Sequence, residues 1–226
     1  MVLIFDLDDT LYDERSYALS GFRAVAHYLN KTHGLPEAKI YREMVLIEAE
    51  RGQIFDRVLL NHGAYSKLLV KQCVKIYRQH PPKLRPFPDA VRCLRRFRGF
   101  PIYVLTDGHK EVQLKKLKAL KLWKSRHIKH SYRTNAYGKR YAKPHSHCFD
   151  LIAKREGEKP ENIVYIGDNP SKDFLIKRKG FKTVRVKRGH HKTLDLGPEY
   201  EAHVIVHNLD QLTLKTLKKL GVKHEV

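Results

Sequence analysis

Three carboxylates fall within four residues, at Asp6, Asp8 and Asp9, directly after the apolar run Met1-Val2-Leu3-Ile4-Phe5 and just before Thr10. The run reads as a buried strand, so the acids crowd its exit. Like charges that close repel, and a desolvated carboxylate is costly unless a cation or strong donors hold it. The cluster therefore asks for a metal, and a donor set made only of oxygen points to Mg2+. Further along, Thr106 closes a second apolar run ahead of Asp107-Gly108, Lys143 precedes Pro144, and Gly167-Asp168-Asn169-Pro170-Ser171-Lys172-Asp173 follows a third run. Taken singly, each has a plainer explanation: a solvated lysine, a threonine at a strand end, an aspartate that caps a helix. All four arrive in one order.

The elements that must position these groups alternate in type. Strands are expected at residues 1–6, 102–105, 162–166, 182–186 and 203–206, with 128–132 as a further candidate. Helical patterns fall at 89–98, 110–122, 144–156 with Pro144 in the first turn, and 171–179 ending at Gly180. Strand and helix in alternation imply a parallel sheet wrapped on both faces. The functional crevice of such a sheet lies beyond the carboxyl ends of its strands, where the Asp and Thr clusters fall.

The interval between the first two strands is too long for one crossover and is helical throughout. Ala18, Phe22, Val25, Ala26 and Leu29 form one apolar stripe, Pro36 opens a second helix, and Leu69, Cys73, Ile76 and Tyr77 form another stripe before Pro81-Pro82 stops it. The chain thus divides into an α/β core, residues 1–12 and 87–226, and an inserted helical bundle, residues 13–86.

The 226 residues carry 45 Lys and Arg against 24 Asp and Glu, so 45 − 24 gives a net charge of +21, with 14 histidines besides. That surface attracts anions, whether phosphate esters, nucleotides or nucleic acid. Two basic segments stand out, residues 177–192 and the lysines at 115, 116, 118, 121 and 124. Phe181 is the one aromatic in the first, too few for base stacking, so both read as solvated faces and nucleic acid is not the favoured partner. Cys73, Cys93 and Cys148 are spaced as reduced core thiols. His145, His147, His190 and His191 lack zinc-ligand spacing. No apolar stretch is long enough to cross a membrane, and a soluble cytoplasmic protein is expected.

The ordered set Asp6-Leu7-Asp8-Asp9-Thr10, Thr106, Lys143 and Asp168 with Asp173 resembles the signature of the haloacid dehalogenase-like hydrolases: DxDx(T/V), then Ser or Thr, then Lys, then an acidic pair after a strand. The helical insertion is similar to that family's small C1 cap. Thr106-Asp107-Gly108-His109 with Val112-Gln113 and Lys115-Lys116-Leu117 is similar to its sugar-phosphate and nucleotide phosphatase branches.

The resemblance implies a Rossmann-like core and a Mg2+-dependent phosphatase acting on a small phosphorylated metabolite. Asp6 would be the nucleophile that forms an aspartyl-phosphate, and Asp8 the acid that protonates the leaving alkoxide and then the base that activates water. Mg2+ would bind Asp6, the backbone carbonyl of Asp8 and Asp168, with Asp173 anchoring the metal's waters or Lys143. Thr106 and the backbone amides of Asp107 and Gly108 would hold the phosphoryl oxygens, and Lys143 would support the transition state and keep Asp6 ionised. Asp9 and Thr10 read as turn and hydrogen-bonding residues. His109 stands open between substrate contact and helix cap. Arg15, Arg42, Arg51, Arg57 and Arg78 are the cap cations that could meet an anionic leaving group.

Two alternatives share these residues. A phosphomutase has the same aspartates and differs in retaining a bisphosphate. A basic nucleic-acid-binding protein on a degenerate hydrolase fold would need an emptied catalytic position, and none is empty.

Overall fold

The computed structural model describes residues 1–50 and 53–222, so Arg51 lies outside the described residues. By internal contacts the chain divides into two units, Met1–Glu14 with Leu84–Val226, and Arg15–Lys83.

The first unit is built on strands β1 (Val2–Phe5), β2 (Ile102–Thr106), β3 (His130–Arg133), β4 (Ile163–Gly167), β5 (Lys182–Val186) and β6 (Val204–Val206). Among the described residues these form one sheet in the order β3-β2-β1-β4-β5-β6, every neighbouring pair parallel. Both faces of the central strands are buried, which is why β1, β2 and β4 read as unbroken apolar runs. Helices α5 (Pro88–Arg96), α6 (Lys110–Ala119) and α7 (His147–Glu156) belong to this unit, and Val2, Ile4, Tyr103, Leu105, Ile163 and Tyr165 share one face with Cys148, Phe149 and Ile152 of α7. Side chains alternate across a strand, so Leu3, Phe5, Val104, Val164 and Ile166 fill the other face. The chain runs outward from β1 to β3, then returns to build β4 to β6 on the opposite side. Strand order therefore reverses between β1 and β4, where a parallel sheet opens a crevice. Phe5 is in register with Val104 and with Ile166, so the three exits lie level.

The second unit holds helices α2 (Glu37–Ala49), α3 (Ile54–Asn61) and α4 (Lys67–Gln79), with α1 (Glu14–His33) entering it from the unit boundary. Phe22, Val25, Ala26 and Leu29 of α1 pack with Ile40, Met44 and Ile47 of α2, Val58 and Leu59 of α3, and Leu69 and Cys73 of α4. Ser66 starts α4 by accepting a hydrogen bond from the Leu69 amide at 3.1 Å.

Two helical expectations require correction. Pro144 does not sit in a helix: α7 begins at His147, and Pro144 follows a cis peptide bond in the turn before it. The segment 171–179 is not an α-helix, and its only helical part is a short 3-10 stretch, Leu175–Lys179. Its start is held instead by Asn169, whose carbonyl accepts from the Asp173 amide at 3.0 Å. The basic segments also differ from solvated faces at two places, since Lys116 and Arg185 are buried. Arg185 pairs with Glu201 and donates to the carbonyls of His191 and Leu194. All three cysteines are buried free thiols.

Candidate active site

Asp6 leaves β1 with its amide still bonded to the Ile166 carbonyl of β4 at 2.8 Å, which brings its side chain to the level of Gly167 and Asp168. Lys143 arrives from the turn before α7 (starting at His147) and is completely enclosed. Its Nζ lies 3.0 Å from Asp6 Oδ1 and 2.8 Å from Asp173 Oδ1, and donates to Tyr165 Oη at 2.6 Å. Asp173 is saturated on its other side, Oδ2 accepting from the Asn169 amide at 2.9 Å. The turn permits this only because residue 167 is glycine, since a Cβ there would run into the Asp173 carboxylate.

One carboxylate oxygen each from Asp6, Asp168 and Asp173 can be chosen so that all lie within 4.8 Å of one another. Asp168 Oδ2 is buried without a hydrogen-bond partner among the described residues. Burial pushes the Asp6 carboxyl up to about 7, with Lys143 opposing and Asp173 reinforcing the shift. Burial, then the charges of Asp173 and Asp6, push Asp168 up to about 9. Burial acts on Asp173 too, but Lys143 and Lys172 outweigh it and hold it below the usual range. For Lys143, burial opposes the charge, yet Asp173 and Asp6 overcome it and raise the ammonium. Lys143 thus counteracts the desolvation of Asp6 without cancelling it. An oxygen-only cluster with an orphaned oxygen and two carboxylates short of positive charge fits a hard divalent cation. Asp6 and Asp168 have the free capacity, while Asp173 is committed to Lys143 and Asn169.

A second network joins the remaining predicted residues. Asp8 takes hydrogen bonds from Tyr12 Oη at 2.6 Å and Lys116 Nζ at 2.7 Å on Oδ1, and from Gln113 Nε2 at 2.7 Å on Oδ2. Burial raises Asp8, but the charge and hydrogen bond of Lys116 prevail and its carboxyl is lowered. Gln113 Nε2 also lies 2.6 Å from Thr106 Oγ1 and 2.6 Å from the Asp107 carbonyl. The Asp107 carboxylate accepts from Thr134 Oγ1 at 2.7 Å and from the Lys143 amide at 3.1 Å, tying the two networks together. Gly108, at φ +111°, packs beside the Gln113 side chain. Asp6, Asp8, Thr106, Asp107, Gly108, Lys143, Asp168 and Asp173 therefore gather at one end of the sheet.

Asp9, at φ 51°, accepts from the amides of Glu14 at 3.0 Å and His190 at 2.9 Å, a turn role. Gly189 leaves room for this, since a Cβ there would meet the Asp9 carboxylate. Thr10 stands in the same turn, its amide donating to the Leu7 carbonyl at 3.4 Å, while its buried hydroxyl has no hydrogen-bond partner among the described residues. His109 is exposed at the start of helix α6 (Lys110–Ala119) and makes no side-chain cap bond. Gln113, Lys116, Tyr12 and Tyr165 were not singled out for the site from sequence. The available signal was phase: Gln113 and Lys116 share the helical face of Val112 and Leu117, all four buried.

A family model described as haloacid dehalogenase-like hydrolase matches residues 1–175, and a second, described as HAD-hydrolase-like, matches residues 140–212. The glyceraldehyde 3-phosphate phosphatase of Methanopyrus kandleri is 31% identical over 208 residues, 85% of this chain and 86% of that protein. The protein of the same name from Methanocaldococcus jannaschii is 28% identical over 229 residues, 96% of this chain and 98% of its own. Among solved structures, magnesium-bound HAD-hydrolase YfnB from Bacillus subtilis superposes with TM-score 0.66 at 19% identity, covering 93% of this chain and 96% of its own. A HAD phosphatase from Thermococcus onnurineus gives 0.61 at 21% identity, with 99% of both chains covered. The chain belongs to the haloacid dehalogenase-like hydrolases, on the phosphatase side of that family.

Proposed function

We propose that this phosphatase is Mg2+-dependent and hydrolyses a small sugar phosphate through an aspartyl-phosphate on Asp6, with glyceraldehyde 3-phosphate the first substrate to test. The observation that carries the reading is the convergence on Asp6: a buried ammonium from a distant turn 3.0 Å away, beside the carboxylate cluster of Asp168 and Asp173. The names of the relatives support the sugar-phosphate class. The helical unit Arg15–Lys83 stands for the C1-type cap insertion.

Asp6 and Asp168 would hold the Mg2+, together with the Asp8 backbone carbonyl, while Asp173 serves as the anchor of Lys143. Bound there, the ion supplies charge neutralisation between the carboxylate and the phosphoryl group. An Asp6 oxygen attacks phosphorus as the ester P–O bond breaks, and the leaving alkoxide takes a proton from Asp8. Water then attacks the same phosphorus, gives its proton to Asp8, and the bond between phosphorus and Asp6 breaks to release inorganic phosphate. Lys116 stabilises the carboxylate that Asp8 becomes as the proton leaves. The dianionic ester raises the proton affinity of a neighbouring carboxylate, favouring the acid form for the first step. Thr106 donates to a phosphoryl oxygen, and Lys143 meets the charge that builds in the transition state.

Phosphate release from glyceraldehyde 3-phosphate and from p-nitrophenyl phosphate, each with Mg2+, tests the reading. Asp6→Asn should lower kcat at least about 10³-fold on both, as loss of a nucleophile does. Retained turnover in that variant overturns the nucleophile. A panel of sugar phosphates and nucleotides ranked by kcat/KM tests the substrate class, and a nucleotide at its head overturns the sugar phosphate.

A further inference from the structure

Helix α6 buries two polar side chains one turn apart on its inner face: Gln113 is 2% and Lys116 3% exposed. A buried lysine is expensive unless fully paired, and this one is spent on Asp8 Oδ1 at 2.7 Å and Glu14 Oε1 at 3.1 Å. Gln113 is placed as unusually. Its carboxamide faces the Asp8 carboxylate, the Thr106 hydroxyl and the Asp107 carbonyl, all within 2.7 Å. Two of the three can only accept and claim both hydrogens of the NH2 group, so the amide must present that group there, and Oε1 is left buried with no hydrogen-bond partner among the described residues.

That arrangement has two stereochemical consequences. Asp8 Oδ1 is filled by Tyr12 and Lys116, whereas Oδ2 carries Gln113 alone among the described residues and keeps a lone pair open. Gln113 Nε2 touches both Asp8 Oδ2 and Thr106 Oγ1, so the open oxygen is the one linked through Gln113 to the phosphoryl cradle. The Thr106 hydroxyl keeps its own hydrogen, and Gln113 has no third one to give it. The hydroxyl's protein acceptor, the Asp107 carbonyl at 3.4 Å, is a long contact that a phosphoryl oxygen would replace.

We propose that Gln113 and Lys116 are positioning residues of the phosphatase reaction: together they select Oδ2 of Asp8 as the oxygen that delivers the proton to the leaving group. Lys116 extends the same hold to Glu14, the first residue of α1. The inference rests on the acid–base reading of Asp8, and the test separates the two.

The test compares kcat/KM for glycerol 3-phosphate, whose alkoxide needs a proton to leave, with that for p-nitrophenyl phosphate, whose nitrophenolate does not. This constant reports steps up to and including cleavage of the ester bond, so the later water step does not enter. Lys116→Met and Gln113→Leu should each lower it about 50-fold for the alkyl ester and less than about 3-fold for the aryl ester, a part of the roughly 10²–10⁴-fold attributed to general acid catalysis. Gln113→Leu keeps the shape of the side chain and removes no charge, so it carries the test if Lys116→Met fails to fold. Equal losses on both esters in a folded variant mean a merely structural role and overturn the proposal. Asp8→Asn is measured alongside. If it shows the split between esters and the positioning variants do not, only the proposal falls; if it shows none, the acid–base reading of Asp8 falls first.

Discussion

Among the described residues, charge is buried in one unit of this molecule and kept out of the other. In Met1–Glu14 with Leu84–Val226, the described residues with buried ionisable side chains include Asp6, Asp9, Asp89, Lys116, Lys143, Asp168, Asp173 and Arg185. In Arg15–Lys83 the buried polar side chain among the described residues is His80, bonded to Ser20 Oγ at 2.6 Å and to the Tyr77 carbonyl at 2.6 Å. The helical unit is assembled as apolar stripes are, by burying area. The sheet unit sets desolvated carboxylates beside one another and holds them with a few cations. Groups so placed are poor value for stability and useful for chemistry. Their cost and their use can be measured separately.

Lys143→Met is expected to have the largest effect on stability. Removing the ammonium leaves Asp6 and Asp173 buried without it, and breaking a buried pair costs about 3–5 kcal/mol. Met44→Ala in the helical unit opens a cavity at a fully buried site and costs about 2–5 kcal/mol, a similar size from another cause. The two are told apart by pH. The Lys143→Met loss should shrink as pH falls and the exposed need for a cation is met by protons, while the Met44→Ala loss should hold steady. Urea unfolding between pH 5 and 8 reads both, and parallel pH dependence would erase the contrast between the units.

The next effect concerns the cation site. Burial pushes Asp6 and Asp168 up to about 7 and about 9 from the ordinary carboxyl value of 3.8, so without metal the folded state binds more protons than the unfolded state. Stability then falls as pH rises from the unfolded value through the folded ones, by up to about 1.4 kcal/mol per pH unit for each such group. Mg2+ must displace those protons, so its stabilising effect should be larger at pH 8 than at pH 6. Thermal melts with and without saturating Mg2+ provide the check. A Tm increment larger at pH 6 contradicts the assignment, and Asp168→Asn should abolish most of the increment.

These contrasts also explain what could be read from the chain. Asp6, Thr106 and Asp168 were legible because each ends or directly follows an apolar run, and a parallel sheet puts all such ends on one edge. Lys143 gained its weight from order, since nothing local distinguishes it from other lysines. Lys116 was hidden for that reason: it stands among lysines at 115, 118 and 121, and only the phase of α6 turns it inward. The helix expected from Pro144 failed because the site claims the segment first, the Lys143 amide being bonded to Asp107 Oδ1 at 3.1 Å. The helix expected at 171–179 failed similarly, since the Asp173 carboxylate turns to Lys143 and the Asn169 amide. Local propensity yields where a side chain has long-range work.

The smallest effect tests whether the helical unit is as tightly packed as its apolar composition suggests. Gly21 lies in α1, and in an exposed helix its change to Ala would add about 1 kcal/mol of stability through propensity. Here a Cβ would stand 2.5 Å from Tyr77 Cδ2 and 2.6 Å from Cε2. That ring cannot easily give way, being flanked by Tyr17, Phe22, Phe55 and His80 at centroid distances of 5.6 to 6.1 Å. Overpacking costs about 1–3 kcal/mol, so the clash should win and Gly21→Ala should lose about 1 kcal/mol net. In a Tyr77→Leu background the obstacle is gone, and the same substitution should become neutral or stabilising. A rise in Tm for Gly21→Ala alone would show that the ring yields, and that this unit is held by burial of area rather than by close fit.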